Sequence, residues 1–214
     1  MGLPRVLIVG DSISIGYHDS VVERLRGVAD VRRPAVNCSS SKVIVASLGE
    51  WLQEHGPEPW SVIHFNCGLH DLDVKGWGWP EGEHQVGLED YAANLHRIVD
   101  ALTATGAQLV WCTTTPAPHP HTLKRGEPPD PSWPTNPIQY RAADVPKYNE
   151  AALAVVTERS VPVHDLHAFA LPRLPEIQLP EDVHFHDEGS SVLAESVEAA
   201  IRAALARAEA APKL

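Results

Sequence analysis

Short apolar runs alternate along this chain with segments in which apolar residues recur at helical spacing. The strongest runs are RVLIVG at 5–10, WSVIHFNCG at 60–68 and AQLVWCTTT at 107–115. Each is rich in branched or aromatic residues, and two of them close on glycine, which is typical of buried parallel strands. VADVRRPAV at 28–36 and VPVHDL at 161–166 are weaker strand predictions.

Segments with the 3.6-residue periodicity of amphipathic helices lie between these runs. They are predicted at 17–27, 42–56, 87–105, 145–159 and 190–208. The first and third show the apolar face most clearly. The predicted core positions are Val21, Val22 and Leu25 in the first helix, and Tyr91, Leu95, Ile98, Val99 and Leu102 in the third.

Strands that alternate with helices predict a single α/β domain over residues 1–214, a three-layer α/β/α sandwich around a parallel sheet. In such sheets, ligands collect at the carboxyl ends of the strands. Ser12 follows the first strand, residues 68–71 follow the next strong strand, and residues 113–115 end another. We therefore expect these three segments to open onto one edge of the sheet.

Two long segments lack periodicity and are predicted to be loops: DLDVKGWGWPEGEHQ at 71–85, and the Pro- and His-rich residues 116–142. They carry Trp77, Trp79 and Trp133, whose rings suit either stacking on a substrate or anchoring a loop to the core. Within the second segment, residues 116–137 suit either a lid or a stiffened insertion.

Composition narrows the classes of partner and compartment. The formal net charge of −11 disfavours nucleic acid and anionic membranes, because both are bound through basic surfaces. The amino-terminal residues run directly into the first predicted strand, so no signal peptide is expected. Cys38, Cys67 and Cys112 are odd in number and lack C-x-x-C spacing. We therefore expect a cytoplasmic protein with reduced thiols.

Three ordered blocks carry residues suited to chemistry. Gly10-Asp11-Ser12-Ile13 ends the first strand, and Gly68-Leu69-His70-Asp71 follows the strand HFNCG. Near the carboxyl end lies Glu181-Asp182-Val183-His184-Phe185, followed by Asp187-Glu188-Gly189. The set resembles the SGNH hydrolases, also called GDSL esterases and lipases. The resemblance spans almost the whole chain and implies a flavodoxin-like sheet, an SGNH hydrolase fold, and a Ser-His-Asp triad that works without a cofactor.

The chemistry of the triad points to particular residues. A serine hydroxyl is a poor nucleophile until a base takes its proton, so Ser12 requires a histidine, for which His184 is the candidate. A neighbouring carboxylate must hold the tautomer of that histidine. Glu181 and Asp182 are both close enough in sequence; alignment of the blocks favours Glu181, whereas a tighter loop favours Asp182.

The chain departs from the family pattern at the predicted oxyanion hole. His70 stands where the family has an asparagine that donates to the oxyanion, and an imidazole N–H can also donate there. Asn66, two residues before Gly68, is an alternative donor, since strand side chains alternate in direction. The glycine of the second block is absent, so the backbone N–H of Ser39 or Ser40 would replace it, provided that the position does not require a positive φ.

Asp11 and Asp71 are interpreted as braces that accept hydrogen bonds from the loops of the site. A metal site is not predicted: the pairs His184/His186 and His119/His121 alternate in loops without an H-E-x-x-H motif.

Together these features predict a serine esterase that hydrolyses small acyl esters through an acyl-enzyme. The resemblance favours acetyl groups on a small-molecule or carbohydrate substrate. Two alternatives remain at this stage. One is an acyltransferase of the same fold, and the other is a binding protein whose catalytic site has decayed, motivated by the missing asparagine.

Overall fold

Five short strands form one parallel sheet in the computed structural model, which describes residues 2–74, 83–117, 140–180 and 182–210. The strands are β1 Arg5–Val9, β2 Asp30–Arg32, β3 Val62–Phe65, β4 Gln108–Cys112 and β5 Val163–His164. Their order is β2-β1-β3-β4-β5, and every adjacent pair is parallel. The predicted α/β sheet is confirmed, with each observed strand lying inside its predicted run.

The strand order places a topological switch point between β1 and β3. After β1 the chain moves outward to β2, then returns to the other side of β1 to form β3. The loops that leave β1 and β3 therefore diverge at the carboxyl edge, which leaves a crevice where ligands bind in such sheets. Val9 pairs with Phe65 at this edge. The segments after both strands, which carry Ser12 and His70, consequently face the same crevice.

Seven α-helices are found in the described residues. They are α1 Ser12–Arg24, α2 Ser41–Trp51, α3 Leu88–Thr103, α4 Val145–Glu158, α5 Leu166–Ala170, α6 Leu174–Ile177 and α7 Asp187–Ala210. One layer is built by α1 packing on α7, with α5 and α6 beside α7, and the other is built by α3 packing on both α2 and α4. This is the predicted three-layer sandwich. Within the described ranges, no helix has the length and apolarity needed to cross a membrane.

The helix α1 begins five residues earlier than its periodicity predicts. The carboxylate of Asp11 accepts a hydrogen bond from the backbone N–H of Ile13 at 3.0 Å, which caps the helix at this point. The buried residues Ile13, Tyr17 and Val21 define its inner face. The prediction that Val22 faces the core is wrong: its side chain lies next to that face and is 38% exposed.

The helix α3 confirms its predicted apolar face. Tyr91, Leu95, Ile98, Val99 and Leu102 are all buried against the sheet and its neighbours. The three cysteines are also buried and free, so they contribute to the core as small apolar side chains.

A buried polar chain crosses the sheet on the side covered by α7. His64 on β3 and His164 on β5 approach to 3.0 Å between ring nitrogens, and the other nitrogen of His164 lies 2.8 Å from Ser196 Oγ on α7. Desolvation lowers the pKa of His164 to about 4 and that of His64 well below its usual value. Both rings are therefore neutral near pH 7, and these hydrogen bonds join β3 and β5 to α7 without a buried charge.

Candidate active site

Ser12 and His184 meet at the carboxyl edge of the sheet although 172 residues separate them. Ser12 is the first residue of α1, directly after the turn that ends β1. His184 lies in the loop between α6 and α7. The distance from Ser12 Oγ to His184 Nε2 is 2.8 Å, which is within hydrogen-bonding range.

Asp182 completes the arrangement on the far side of the imidazole. His184 Nδ1 lies 2.6 Å from Asp182 Oδ1, and the same oxygen accepts the backbone N–H of His184 at 3.0 Å. Because an ionised carboxylate only accepts hydrogen bonds, Nδ1 carries the proton. The lone pair on Nε2 then faces the Ser12 hydroxyl.

The charge state of Asp182 follows from its surroundings. Partial burial raises its pKa, but hydrogen bonds from the backbone and ring of His184, together with the charge of that ring, outweigh burial and lower the pKa. Asp182 is therefore ionised at neutral pH. The side chains of His184 and Asp182 remain 44% and 46% exposed, so small molecules in solution reach them directly.

Local turn geometry favours Asp182 of the two candidate carboxylates. Asp182 bonds both the backbone and the ring of a residue two positions later, a tight arrangement that short acidic side chains favour. Glu181, which block alignment favours, lies outside the described residues. The single hydrogen on His184 Nδ1 is already directed at Asp182.

The loop that carries His184 is fixed at both ends. The backbone N–H of Leu179 donates to the carbonyl of His184 at 2.9 Å. At the start of α7, His186 directs Nε2 at the carbonyl of Glu176, and its Nδ1 accepts the backbone N–H of Gly189. Both ring nitrogens of His186 thus hold the loop.

Asp11 supports the turn beneath Ser12. Its carboxylate caps α1 at Ile13, and its carbonyl accepts the Ser14 hydroxyl at 2.7 Å. Burial raises the pKa of Asp11, while the charge of His70, the charge of His184 and hydrogen bonds from the backbone of Ile13 and Ser14 oppose that rise. The position is that of a brace, as the sequence suggests, with His70 and His184 close enough to act on its charge.

The loop before α2 lies against the Ser12 turn, since the backbone N–H of Cys38 donates to the carbonyl of Gly10. Ser39 has φ +55°, so this position does adopt the left-handed conformation that glycine favours. Its backbone N–H donates to Asn37 Oδ1 at 2.9 Å. Of the two predicted backbone donors, that of Ser39 is therefore already engaged, and Ser40 follows it as the N-cap of α2.

Asp71 links the turn after β3 to the start of α2. Both of its oxygens lie 3.0 Å from the backbone nitrogen of Ser41, and Oδ1 accepts the Ser41 hydroxyl. Asn94 on α3 donates in turn to that hydroxyl at 3.1 Å. Asp71 thus has the bracing position predicted for it. The roles of Ser41 and Asn94 were not predicted, because no local pattern marks contacts 30 and 53 residues apart.

Gly68 has a definite steric role at the end of β3. Its φ is +148°, and a Cβ at this position would approach Thr114 Oγ1 to 2.4 Å. Only glycine therefore allows the backbone to pass this close to β4. His70 follows in the next turn and is half-buried.

Asn66 does not point towards the predicted oxyanion hole. Its Nδ2 donates to the carbonyl of Cys112 at 2.7 Å and contacts Thr114 Oγ1 at 3.3 Å. These contacts use both amide hydrogens to join β3 to the end of β4. The prediction that Asn66 substitutes for the missing asparagine is therefore wrong, because its side chain is committed to the sheet.

The end of β4 is held by residues that the sequence marks only weakly. Asn149 on α4 accepts the backbone N–H of Thr114 at 2.8 Å and donates to its carbonyl at 2.9 Å. Thr113 donates through its hydroxyl to Asp165. The remaining predicted candidates, Trp77, Trp79, Trp133, His119 and His121, lie outside the described residues.

Comparison with known proteins places this geometry in context. The model of the GDSL-like Lipase/Acylhydrolase family matches residues 8–192. A search of curated proteins found no match.

Solved structures similar to this chain share its architecture at low sequence identity. The acetyl xylan esterase AlAXEase is 17% identical with a TM-score of 0.67, and the match covers 92% of this chain and 99% of the esterase. The lipase/acylhydrolase from Enterococcus faecalis is 16% identical with a TM-score of 0.69, covering 96% and 97%. Axe2, an acetylxylan esterase from Geobacillus stearothermophilus, is 17% identical with a TM-score of 0.70, covering 92% and 94%. Such identities establish a shared fold.

Proposed function

Because the chain belongs to the GDSL-like lipase/acylhydrolase family, we propose that it is a carboxylic ester hydrolase in which Ser12 is the nucleophile. The observation that carries the proposal is the contact of 2.8 Å between Ser12 Oγ and His184 Nε2. It supplies the pairing of a hydroxyl with a base that nucleophilic catalysis requires. Asp182 is proposed as the third member of the triad, which orients His184.

In the first step, Ser12 Oγ attacks the ester carbonyl carbon while His184 Nε2 takes the hydroxyl proton. The carbonyl π-bond breaks and its electron pair becomes the oxyanion of a tetrahedral intermediate. The ionised Asp182 stabilises the imidazolium that forms, without taking its proton.

The oxyanion requires donors placed in advance. The backbone N–H of Ser12 lies at the start of α1, where the helix dipole also favours negative charge. We assign the second donor to the backbone N–H of Ser40, because that of Ser39 is engaged by Asn37. The third is a ring N–H of His70, a residue whose ring acts on the charge of the Asp11 carboxylate beneath the Ser12 turn.

In the second half of the reaction, His184 returns its proton to the departing alcohol, and the acyl group remains on Ser12. Water then attacks the acyl carbon while His184 takes its proton. Collapse of this second intermediate breaks the bond from the acyl carbon to Ser12 Oγ, which regains the proton from His184 as the carboxylic acid leaves. Each step moves one proton between oxygen and Nε2, so no further cofactor is needed.

Acetyl esters are the first substrates proposed. Two of the similar structures are named as acetylxylan esterases, and the match with this chain covers 99% and 94% of their lengths. We propose a small acyl group and a carbohydrate alcohol for this chain on the basis of that similarity and of the sequence pattern.

The test is turnover of p-nitrophenyl acetate by the purified protein. We expect Ser12→Ala to lower kcat by roughly a thousandfold or more. Ser20→Ala, which removes a hydroxyl further along the same helix, is the matched control and should leave kcat unchanged. Equal turnover in the native protein and Ser12→Ala would refute Ser12 as the nucleophile, and absence of turnover in both would favour a binding protein.

A further inference from the structure

Two imidazoles and a thiol from three neighbouring strands meet on the α7 side of the sheet. His64 on β3 pairs in register with Val110 on β4, and Cys112, two residues further along β4, pairs with His164 on β5. Because side chains two residues apart on a strand lie on one face, all three groups share a face of the sheet. One ring nitrogen of each histidine and the Cys112 sulfur all lie within 4.8 Å of one another.

This cluster is shut off from solvent. His64 and Cys112 are 0% and 1% exposed, and His164, at 9%, is its outermost member. The hydrogen bond of 3.0 Å between the two rings leaves His64 Nδ1 buried without a partner in the described part of the chain. An unpaired buried nitrogen is unfavourable, and apolar side chains would fill this space without that cost. Hydrogen bonding alone is therefore a poor reason for two histidines at this place in the core.

The three groups are ligands that soft transition-metal ions prefer. Thiolate sulfur selects copper(I) and zinc, and neutral imidazole nitrogen binds both metals. Burial lowers the pKa of His64 and of His164, so both rings are neutral near pH 7 and can offer a lone pair. The two facing ring nitrogens, now 3.0 Å apart, need to separate by only about half an ångström to hold an ion between them.

The outer side of His164 is arranged as it is in many metal-binding histidines. Such histidines usually donate their second ring N–H to a fixed acceptor, which sets the tautomer. His164 Nε2 lies 2.8 Å from Ser196 Oγ on α7, while Nδ1 faces His64. A hydrogen on Nε2, donated to Ser196, leaves the lone pair of Nδ1 directed into the cluster.

Charge distinguishes between the two metals. Of the three groups only Cys112 becomes an anion, because its thiol loses a proton when an ion binds. A monovalent ion thus replaces one proton and leaves the charge of the buried cluster unchanged, whereas a divalent ion adds a positive charge away from water. Asp165 is near enough to act on the charge of Cys112. Its Oδ1 is already engaged by Thr113 and Ala168, which favours the monovalent ion.

We propose that His64, Cys112 and His164 bind one copper(I) ion, which joins β3, β4 and β5. The ion takes the place of the thiol proton of Cys112, which passes to water, and no electron is transferred. The site is separate from the proposed ester hydrolysis, whose steps use none of these residues.

The test is an anaerobic titration of the purified protein with copper(I) in competition with the chelator bicinchoninate. Because the cluster is closed, the titration is repeated after refolding from urea with copper(I) present. We expect one copper(I) per chain to be withheld from the chelator. X-ray absorption at the copper edge should show one sulfur and two nitrogen neighbours, and this measurement needs no variant.

Variants assign the ion to this cluster. Ser196→Ala removes the acceptor behind His164 and should weaken copper(I) binding roughly tenfold to a hundredfold. Cys112→Ala removes the only anionic ligand and should weaken it by more than about a hundredfold. Cys67→Ala is the matched control, because Cys67 is also buried and free but contacts Tyr91 on α3, in the opposite layer. It should bind copper(I) as the native protein does.

Three results would overturn the proposal. The first is complete release of copper(I) to the chelator, both before and after refolding. The second is equal retention of copper(I) by the native protein and Cys112→Ala. The third is a lower Kd for Zn²⁺ than for copper(I), which would contradict the argument from charge. Ser12→Ala should bind copper(I) unchanged, so loss of esterase activity and loss of the metal site are measured independently.

Discussion

Asp71 is a completely buried carboxylate that accepts hydrogen bonds from the backbone N–H and the hydroxyl of Ser41. Burial raises its pKa to about 7, and the donors from Ser41 oppose that rise. The residues next to Asp71 and Ser41 in sequence explain why a carboxylate is buried here, although its burial is unfavourable. His70 immediately precedes Asp71, and Ser40 immediately precedes Ser41, so one contact sets the separation of two proposed oxyanion donors.

Replacing Asp71 by Asn should therefore lower kcat more than it changes KM. The amide keeps only one of the two oxygens that lie 3.0 Å from the Ser41 backbone nitrogen and places an NH₂ group at the other, which displaces the donors near residues 40 and 70. We expect kcat for p-nitrophenyl acetate to fall roughly tenfold to a hundredfold, with KM within about threefold.

Asp144 provides the matched control for this variant. It is also a buried carboxylate that ties a loop to a helix start, through His84 at 2.8 Å and Lys147 at 2.7 Å, but it has no contact with the oxyanion segments. Asp144→Asn should reduce stability with little change in kcat. If both variants lower kcat in proportion to their loss of stability, Asp71 has no positioning role.

At the scale of elements, the junction between α6 and α7 determines where His184 stands. Gly189 lies so close to the end of α6 that a Cβ there would be 2.0 Å from the carbonyl oxygen of Ile177. The backbone of α7 could not approach α6 in this way with any other residue. The loop between these helices carries Asp182 and His184, so its position depends on this contact.

Gly189→Ala should therefore reduce the free energy of unfolding by about 1–3 kcal/mol, because backbone atoms must separate. It should also lower kcat as the loop shifts. Denaturation in urea and turnover of p-nitrophenyl acetate measure the two effects. Gly49→Ala in α2 is the control: nothing lies within 4 Å of its added Cβ, so it should stabilise by up to about 1 kcal/mol. Equal effects of the two changes would refute the steric argument.

Elements with strong local signals were predictable, whereas contacts between distant segments were not. The runs at 5–10 and 60–68 were predicted as buried strands because they are nearly continuous in apolar residues, as is typical of a parallel sheet covered on both faces. The helices α5 and α6 have five and four residues, too few to show a period. The pairing of Ser41 with Asp71 depends on how two loops meet.

The same distinction applies within the candidate site. Ser12 and His184 could be proposed from ordered blocks, and the structure brings them into contact. The prediction that Asn66 donates to the oxyanion was wrong because strand alternation gives the face on which a side chain lies but not its partner. That partner is the end of β4. The sequence could not show that the backbone N–H of Ser39 is engaged by Asn37, because that contact depends on local backbone geometry, which the residue type does not reveal.

At the scale of the whole molecule, the buried histidines couple stability to pH. The folded state lowers the pKa of His164 from 6.5 to about 4, so folding stabilises its neutral form. Its contribution to stability is complete above pH 6.5 and is lost as the pH falls from 6.5 through 4. Asp71 acts in the opposite direction, since its raised pKa adds stability as the pH falls from about 7.

Comparing the native protein with a His164 variant isolates the contribution of His164 to the pH dependence of stability. The free energy of unfolding of the native protein minus that of His164→Asn should shrink by up to about 3 kcal/mol between pH 6.5 and pH 4, at about 1.4 kcal/mol per pKa unit. Urea titrations at several pH values would show it. A difference that stays constant over this range would mean that His164 is not held neutral by the fold.

The most direct test of the central claim is the site of covalent modification by a fluorophosphonate. Attack by Ser12 on phosphorus expels fluoride and leaves a stable adduct, which mass spectrometry of peptides locates. We predict one adduct, on Ser12, that is absent in Ser12→Ala and forms at least a hundredfold more slowly in His184→Ala. Modification at another residue, or labelling of Ser12 at the same rate without His184, would contradict the account.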